Sequence, residues 1–204
     1  MDVLIRRAVP EDAPGIARVH VDSWRTSYAG LIAAEFLDQL SYAKRVELWA
    51  QILAKPEDPG IIFVAESSAG EIIGFVSAGP GRENDPLHTG EIYAIYLLQE
   101  AQGQGIGTQL WDAAVHFLLE QGYPSLLVWV LRDNLPARRF YAAAGGQILR
   151  EKPIQIGQQK LSEVAYGWNA LDTPKEEAHD STTTAQHERP DQLSQGDGRP
   201  HPDG

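Results

Sequence analysis

The chain has 204 residues, 43% of them apolar, no cysteine and a formal charge of −11. That length and apolar share suffice for one substantial core. The lack of cysteine excludes disulfides, thiolate metal sites and a cysteine nucleophile, and the acidic balance excludes a nucleic-acid backbone as partner, because counterion release needs a basic surface.

The first residues, "MDVLIRRAVPEDA", carry charges where a signal peptide needs an apolar run, and no window reaches the roughly eighteen apolar residues of a membrane span. A cytoplasmic protein without a membrane partner is expected. Val3 to Val9 reads as a strand, after which Asp12 offers a helix N-cap with Pro14 in the first turn. Ile16, Val19, His20, Ser23, Trp24 and Ser27 fall at helical spacing, and Gly30 ends that helix. Ala33 to Leu53 is a second helical region, interrupted near Ser41, with Val46, Trp49 and Leu53 on one stripe. Two apolar runs around Ser67, Ser68, Ala69 and Gly70 give a hairpin.

A polar loop from Gly81 leads to the strand Glu91 to Leu98, then to Gly103, Gly105 and Gly107, then to a helix over Thr108 to Gln121. Leu110, Ala114, Phe117 and Leu118 mark its inner face, and Gly122 stands at its C-cap. Ser125 to Leu131 is a strand with the look of full burial. Asp133 or Asn134 caps a helix with Pro136 in its first turn, and Gln147 to Ile156 and Lys160 to Ala170 are closing strands. Residues 1–171 therefore form one domain. From Asp172 to Gly204 there is no aromatic residue, and acids outnumber bases by five, so about −6 of the charge belongs to the domain. Such a segment cannot offset its ordering entropy by burial and is expected to be a disordered acidic tail. Its histidines, His179, His187 and His201, are too widely spaced for a metal site, and no metal is expected.

The strand, glycine loop and helix make an anion cradle: glycine frees backbone N–H groups, and the positive end of the helix lies behind them. A dinucleotide loop needs a third glycine where Thr108 stands, and a phosphate loop needs a lysine that is absent from the first two turns of the helix. Both nucleotide readings lose.

Two motifs then carry a family resemblance. Gln102 to Gly107, "QGQGIG", resembles the acetyl-CoA pyrophosphate loop of the GCN5-related N-acetyltransferases, in the pattern Q/R-x-x-G-x-G/A. Leu131 to Gly145, "LRDNLPARRFYAAAG", resembles their second signature, in which Asn134 lies seven residues before Tyr141. The element order matches from Val3 to about Ala170. One departure is Gly146, where the family often has phenylalanine, which is expected to loosen local packing.

The resemblance implies an α+β fold: a mixed, mostly antiparallel sheet of about seven strands flanked by about four helices. It implies acetyl-CoA as donor, with pantetheine lying in a gap between the Glu91 and Ser125 strands. Main-chain groups of Ile95, Tyr96, Leu97 and Leu98 would pair with pantetheine, and the Leu97 N–H would serve as oxyanion donor. Gln102, Gly103, Gln104, Gly105, Ile106, Gly107 and Thr108 would hold the pyrophosphate. Tyr141 would be the general acid for the departing thiolate, the alternative being a core aromatic beside Phe140, and Asn134 would touch the pantetheine arm while capping its helix. Glu91 would be the base, acting through a water, with His88 and His20 as rivals and a solvated rim charge as the alternative. Trp24, Tyr28 and Tyr93 would wall the acceptor site, Tyr93 sharing a face with Glu91 if no bulge intervenes; the alternative for Trp24 and Tyr28 is that they staple their helix to the core. The expected acceptor is a primary amine of a small molecule or protein, and the resemblance allows a homodimer. A non-catalytic acetyl-CoA-binding module and another kind of nucleotide-binding domain are the competing classes. The glycine spacing disfavours the second of these, and Glu91 together with Tyr141 favours catalysis.

Overall fold

The computed structural model describes residues 2–55, 59–83 and 85–171; the expected tail lies outside the described residues. In chain order the elements are β1 (Val3–Arg7), α1 (Ala13–Ser27), α2 (Ala34–Asp38), α3 (Tyr42–Leu53), β2 (Ile61–Ser67), β3 (Ile72–Pro80), β4 (Gly90–Leu97), α4 (Ile106–Glu120), β5 (Leu126–Leu131), α5 (Leu135–Ala143), β6 (Gln147–Ile156) and β7 (Gln159–Trp168). The strands form one open sheet in the order β1-β2-β3-β4-β5-β7-β6, antiparallel at every junction except β4 with β5. The expected strands and helices are all present, with the second helical region split into α2 and α3.

Helix α1 buries Ile16, Ala17, Val19 and Ser23, one stripe at helical spacing. Its start differs from expectation. Asp12 does not cap the helix; its carboxylate turns back to accept from the Val9 N–H at 2.8 Å and from both terminal nitrogens of Arg6 at 2.7 and 2.8 Å. A guanidinium fork outcompetes a single amide for a carboxylate, because both bonds are charge-assisted. The Arg6 hydrogen bonds hold Asp12 below the usual carboxylate range, against the opposing effect of its burial. Ser41, by contrast, does cap α3, accepting from the Lys44 N–H at 3.3 Å. Trp49 from α3 is buried against α1, its indole N–H donating to His20 Nδ1 at 3.2 Å.

Helix α4 covers the opposite face of the sheet from α1 and begins at Ile106, two residues earlier than the sequence suggests. Gly105 sits at φ 79° as its N-cap, so the glycine run becomes the helix start, and the buried Ile106 side chain anchors it. Gly146 does not loosen the packing. A Cβ there would lie 2.5 Å from the Trp168 ring, and the Trp168 indole donates to the Ala144 carbonyl at 2.8 Å, so the tryptophan of β7 fills the space a larger residue would claim. Among the described residues no helix is long and apolar enough to cross a membrane, and no cluster of three or more His, Cys, Asp or Glu could hold a metal.

Candidate active site

Strands β4 and β5 pair only at Gly90 with Leu126 and Glu91 with Leu127. Beyond that point β5 follows β7 from Leu126 to Leu131, while β4 stays on β3 as far as Leu97. The edge of β4 from Ile92 onward is therefore open towards β5. Which of its main-chain groups face the opening follows from ladder phase. The Leu98 N–H donates to the Ile73 carbonyl at 2.9 Å across the Leu97–Gly74 pair. That makes Leu97–Gly74 a non-hydrogen-bonded pair, so Leu97 and, two residues back, Ile95 turn their N–H and C=O away from β3 and into the gap. Tyr96 turns its groups to β3, and Leu98 gives its N–H to β3 and its carbonyl to the Ala101 N–H at 3.0 Å. Of the four residues expected to offer main-chain groups, only Ile95 and Leu97 present them. The Leu97 carbonyl already accepts from the buried Ser23 hydroxyl at 2.8 Å and from Gln102 Nε2 at 3.3 Å, which leaves its N–H as the Leu97 group facing the gap.

The loop after β4 closes on itself. Gln102 reaches back to Leu97, and Gln104 Nε2 donates to the Glu100 carbonyl at 2.7 Å. Gly103 and Gly105 both lie at positive φ, 73° and 79°, and a Cβ on either would meet no atom of the described residues within 4 Å. The first α-helical bond of α4 runs from the Gln109 N–H to the Gly105 carbonyl at 3.2 Å. The N–H groups of Ile106, Gly107 and Thr108 precede it and have no intrahelical acceptor. An open cradle of first-turn amides beside Leu97 fits a diphosphate group. Gly107 has a different character. A Cβ there would make ordinary contact with Leu97 and Phe140 at 3.6 and 3.7 Å, so alanine fits, as the pattern G/A allows.

Across the gap, Asn134 caps α5 by accepting from the Ala137 N–H at 3.3 Å. Tyr141, one side of that helix, is 6% exposed and packs among Trp111, Phe140, Tyr166 and Trp168. Burial raises its phenol above the usual range.

The other expected residues gather on the sheet face that α1 covers. The ladder slips between Ser77 and Ala78, leaving Tyr93 as the extra residue of β4. Glu91 then pairs with Gly79 and Tyr96 with Phe75, an even number apart on β3, so Glu91 and Tyr96 share one face. Trp24 and Tyr28 meet edge to face at 5.0 Å, and the Tyr28 hydroxyl lies 3.3 Å from that of Tyr96. The α1–α2 segment is fastened over this end by the Ala33 N–H donating to Gln159 Oε1 and by Phe36 packing on Gly157. Tyr93 is turned aside, its hydroxyl donating to the Pro80 carbonyl at 2.5 Å beneath the Arg82 guanidinium.

Glu91 is buried, and both of its oxygens are taken. Oε2 accepts from the Arg82 N–H at 2.9 Å, and Oε1 accepts from Arg82 Nε at 3.0 Å and from Nη2. It is therefore no solvated rim charge. His20 is held neutral, its pKa lowered to about 4 by burial with a smaller push from Arg45. His88 is buried, its Nε2 3.0 Å from Asn169 Oδ1 and its Nδ1 3.3 Å from Asp85. Arg82, Ser23, Phe36 and the Tyr96 side chain are members of this site that the sequence did not disclose. Only Ser23, a polar residue on a buried helical stripe, carried a signal. A cavity of about 330 Å³ lined by Arg25, Ile32, Leu37 and Asp38 lies behind the α1–α2 segment and includes none of these groups.

Residues 20–145 match the model of the acetyltransferase (GNAT) family. An uncharacterised N-acetyltransferase of Bacillus subtilis, YuaI, is 39% identical over 173 residues, 85% of this chain and 96% of its own length. An uncharacterised N-acetyltransferase of Archaeoglobus fulgidus is 31% identical over 144 residues, 68% of this chain and 89% of its own. The crystal structure of the PaiA N-acetyltransferase of Thermoplasma acidophilum in complex with coenzyme A superposes with a TM-score of 0.64 at 22% identity, covering 80% of this chain and 98% of that one.

Proposed function

The chain belongs to the GNAT family of acetyltransferases and is an acetyl-CoA-dependent N-acetyltransferase, and on that premise we propose how its residues divide the work. The observation that carries the reading is the parting of β4 from β5 after Glu91, with the α4 amides at the mouth of the gap. Acetyl-CoA lies in that gap. The Ile95 and Leu97 main chain pairs with pantetheine, and the amides from Gly103 to Thr108 hold the pyrophosphate. Gln102 acts indirectly by fixing the Leu97 peptide. Asn134 reaches the pantetheine arm from the start of α5.

The acetyl group passes directly to a primary amine of a small molecule or protein within a ternary complex. The amine enters from the face that carries Trp24, Tyr28 and Phe36. Its nitrogen bonds to the thioester carbon, the Leu97 N–H stabilises the oxygen that gains charge, and the C–S bond breaks. Tyr141 then protonates the thiolate, and the surplus proton on the new amide nitrogen leaves through water to restore the phenol. The ammonium loses its proton first, through water, to Glu91. Arg82 holds both carboxylate oxygens and so fixes the side chain from which that water is reached.

The test is thiol release from acetyl-CoA across a panel of amines: amino acids, polyamines, aminoglycosides and peptide N-termini. Release dependent on one class of amine supports the reading. Acetyl-CoA binding without release for any of them would favour a binding module instead.

A further inference from the structure

The ring of Tyr96 is gripped on two sides: His20 stacks on it at 5.5 Å with planes 20° apart, and Phe75 meets it edge to face at 5.7 Å. Its oxygen is surrounded by donors. The Tyr28 hydroxyl lies 3.3 Å away. The Trp24 indole N–H, buried without a well-formed hydrogen bond among the described residues, lies close enough to favour the Tyr96 phenolate, as a donor does, although burial outweighs it and raises the phenol. Tyr28 is in turn met by the Asn134 side chain, whose Oδ1 is occupied by the Ala137 N–H, so that its NH₂ is the group turned to Tyr28. A donor on the Tyr28 oxygen turns the Tyr28 proton towards Tyr96. With Tyr28 and Trp24 as donors to the Tyr96 oxygen, its own hydrogen is left for an acceptor outside this cluster, and Tyr96 shares the acceptor face with Glu91, at which β4 parts from β5.

We infer that Tyr96 is a catalytic residue of this enzyme: its hydroxyl donates a hydrogen bond to the thioester carbonyl oxygen as that oxygen gains charge, and Asn134, Tyr28 and Trp24 are positioning residues that aim it. The inference rests on the transfer proposed above. As the amine nitrogen bonds to the carbonyl carbon, the carbonyl electron pair moves onto oxygen, where Tyr96 and the Leu97 N–H meet it. When that pair returns, the C–S bond breaks, the thiolate takes its proton from Tyr141, and the surplus proton on the new amide nitrogen leaves through water to restore the Tyr141 phenol. Tyr96 keeps its proton throughout, and its burial, which raises its phenol above the usual range, favours that.

The experiment is steady-state thiol release by the full chain, with acetyl-CoA and either water or the most active amine of the panel as acceptor. Tyr96→Phe should lower kcat by roughly 10²-fold, the cost of one oxyanion donor, with the KM for acetyl-CoA within about twofold. The shape of the pH profile should stay unchanged, because no proton moves. Trp24→Phe keeps a ring but loses the N–H and should lower kcat several-fold with the KM for acetyl-CoA unchanged, and it keeps the inference falsifiable should Tyr96→Phe fail to fold. Wild-type turnover together with an undiminished kcat in either folded variant would overturn the inference alone, as would a Tyr96→Phe defect confined to KM. Absence of wild-type release with every amine would instead overturn the transfer reading itself, and the inference with it.

Discussion

The two walls of the gap are made of different materials. The donor side is backbone: the Ile95 and Leu97 edge, two glycines at positive φ and the first-turn amides of α4. The acceptor side is side chains drawn from α1, α2, β4 and the loop before it: Trp24, Tyr28, Phe36, Tyr96, Arg82 and Glu91. In the proposed reading main-chain groups bind the pantetheine and pyrophosphate, parts that do not vary with the acceptor, so their requirements appear as glycine spacing. Side chains from distant segments meet only in the folded chain and can change without disturbing the sheet. In the proposed reading their arrangement sets what is acetylated, and it leaves little trace in a local motif.

The largest effect should fall on chemistry. Tyr141→Phe is expected to lower kcat by about 10²-fold or more with acetyl-CoA affinity intact, since a general acid is lost and no binding group is. Single-turnover kinetics beside a binding isotherm will check this; a loss confined to affinity would return Tyr141 to the core.

Next comes the donor wall. Gly105→Val places a branched residue at φ 79° and projects a side chain into the open cradle, so acetyl-CoA affinity should fall at least about tenfold. Gly107→Ala should cost less than about threefold, because the space beside Leu97 and Phe140 admits a methyl. Equal effects at the two glycines, measured by calorimetric titration, would mean the cradle lies elsewhere.

The acceptor wall has its own stability signature. Arg82→Met leaves Glu91 buried without its partner and should destabilise the fold by on the order of 2 kcal/mol, below the full cost of a buried pair because the guanidinium is more than half in water. Adding Glu91→Gln to that variant should recover part of the loss. Non-additivity in denaturant unfolding is the check. The Glu91→Gln enzyme should also lose activity most at low pH, where the ammonium most needs a base.

The smallest effect lies farthest from the gap. Asp12 has a lowered folded pKa, through Arg6 first, so its contribution is present above the unfolded value near ~3.9 and disappears as pH falls through the folded one. Asp12→Asn should flatten the acid limb of the stability curve and cost roughly 1–2 kcal/mol at pH 7. An unchanged acid limb would separate the Arg6 contact from folding.

What the sequence disclosed follows the same division. Periodicity and caps placed the strands and helices, and the loop from Gln102 to Gly107 pointed to an anion, because those features depend on neighbours a few residues apart. Four things depended on contacts across the fold. Asp12 deserted its helix for Arg6, from another element. Trp168 filled the space at Gly146 from twenty-two residues away. The extra residue at Tyr93 brought the Glu91 and Tyr96 side chains to one face, which simple alternation would have separated. Arg82 closed on Glu91 from a loop that carries no pattern.

Ladder phase makes the central claim directly measurable: acetyl-CoA occupies the β4–β5 gap through alternate residues of β4 and the first turn of α4. Residue-resolved amide hydrogen exchange, with and without saturating acetyl-CoA, reads each N–H separately. Protection should rise at Ile95, Leu97 and Ile106 to Thr108, stay unchanged at Tyr96 and Leu98, and stay unchanged throughout with NAD in place of acetyl-CoA. Equal protection of the four amides from Ile95 to Leu98, or none at Leu97 while acetyl-CoA is bound, would contradict it.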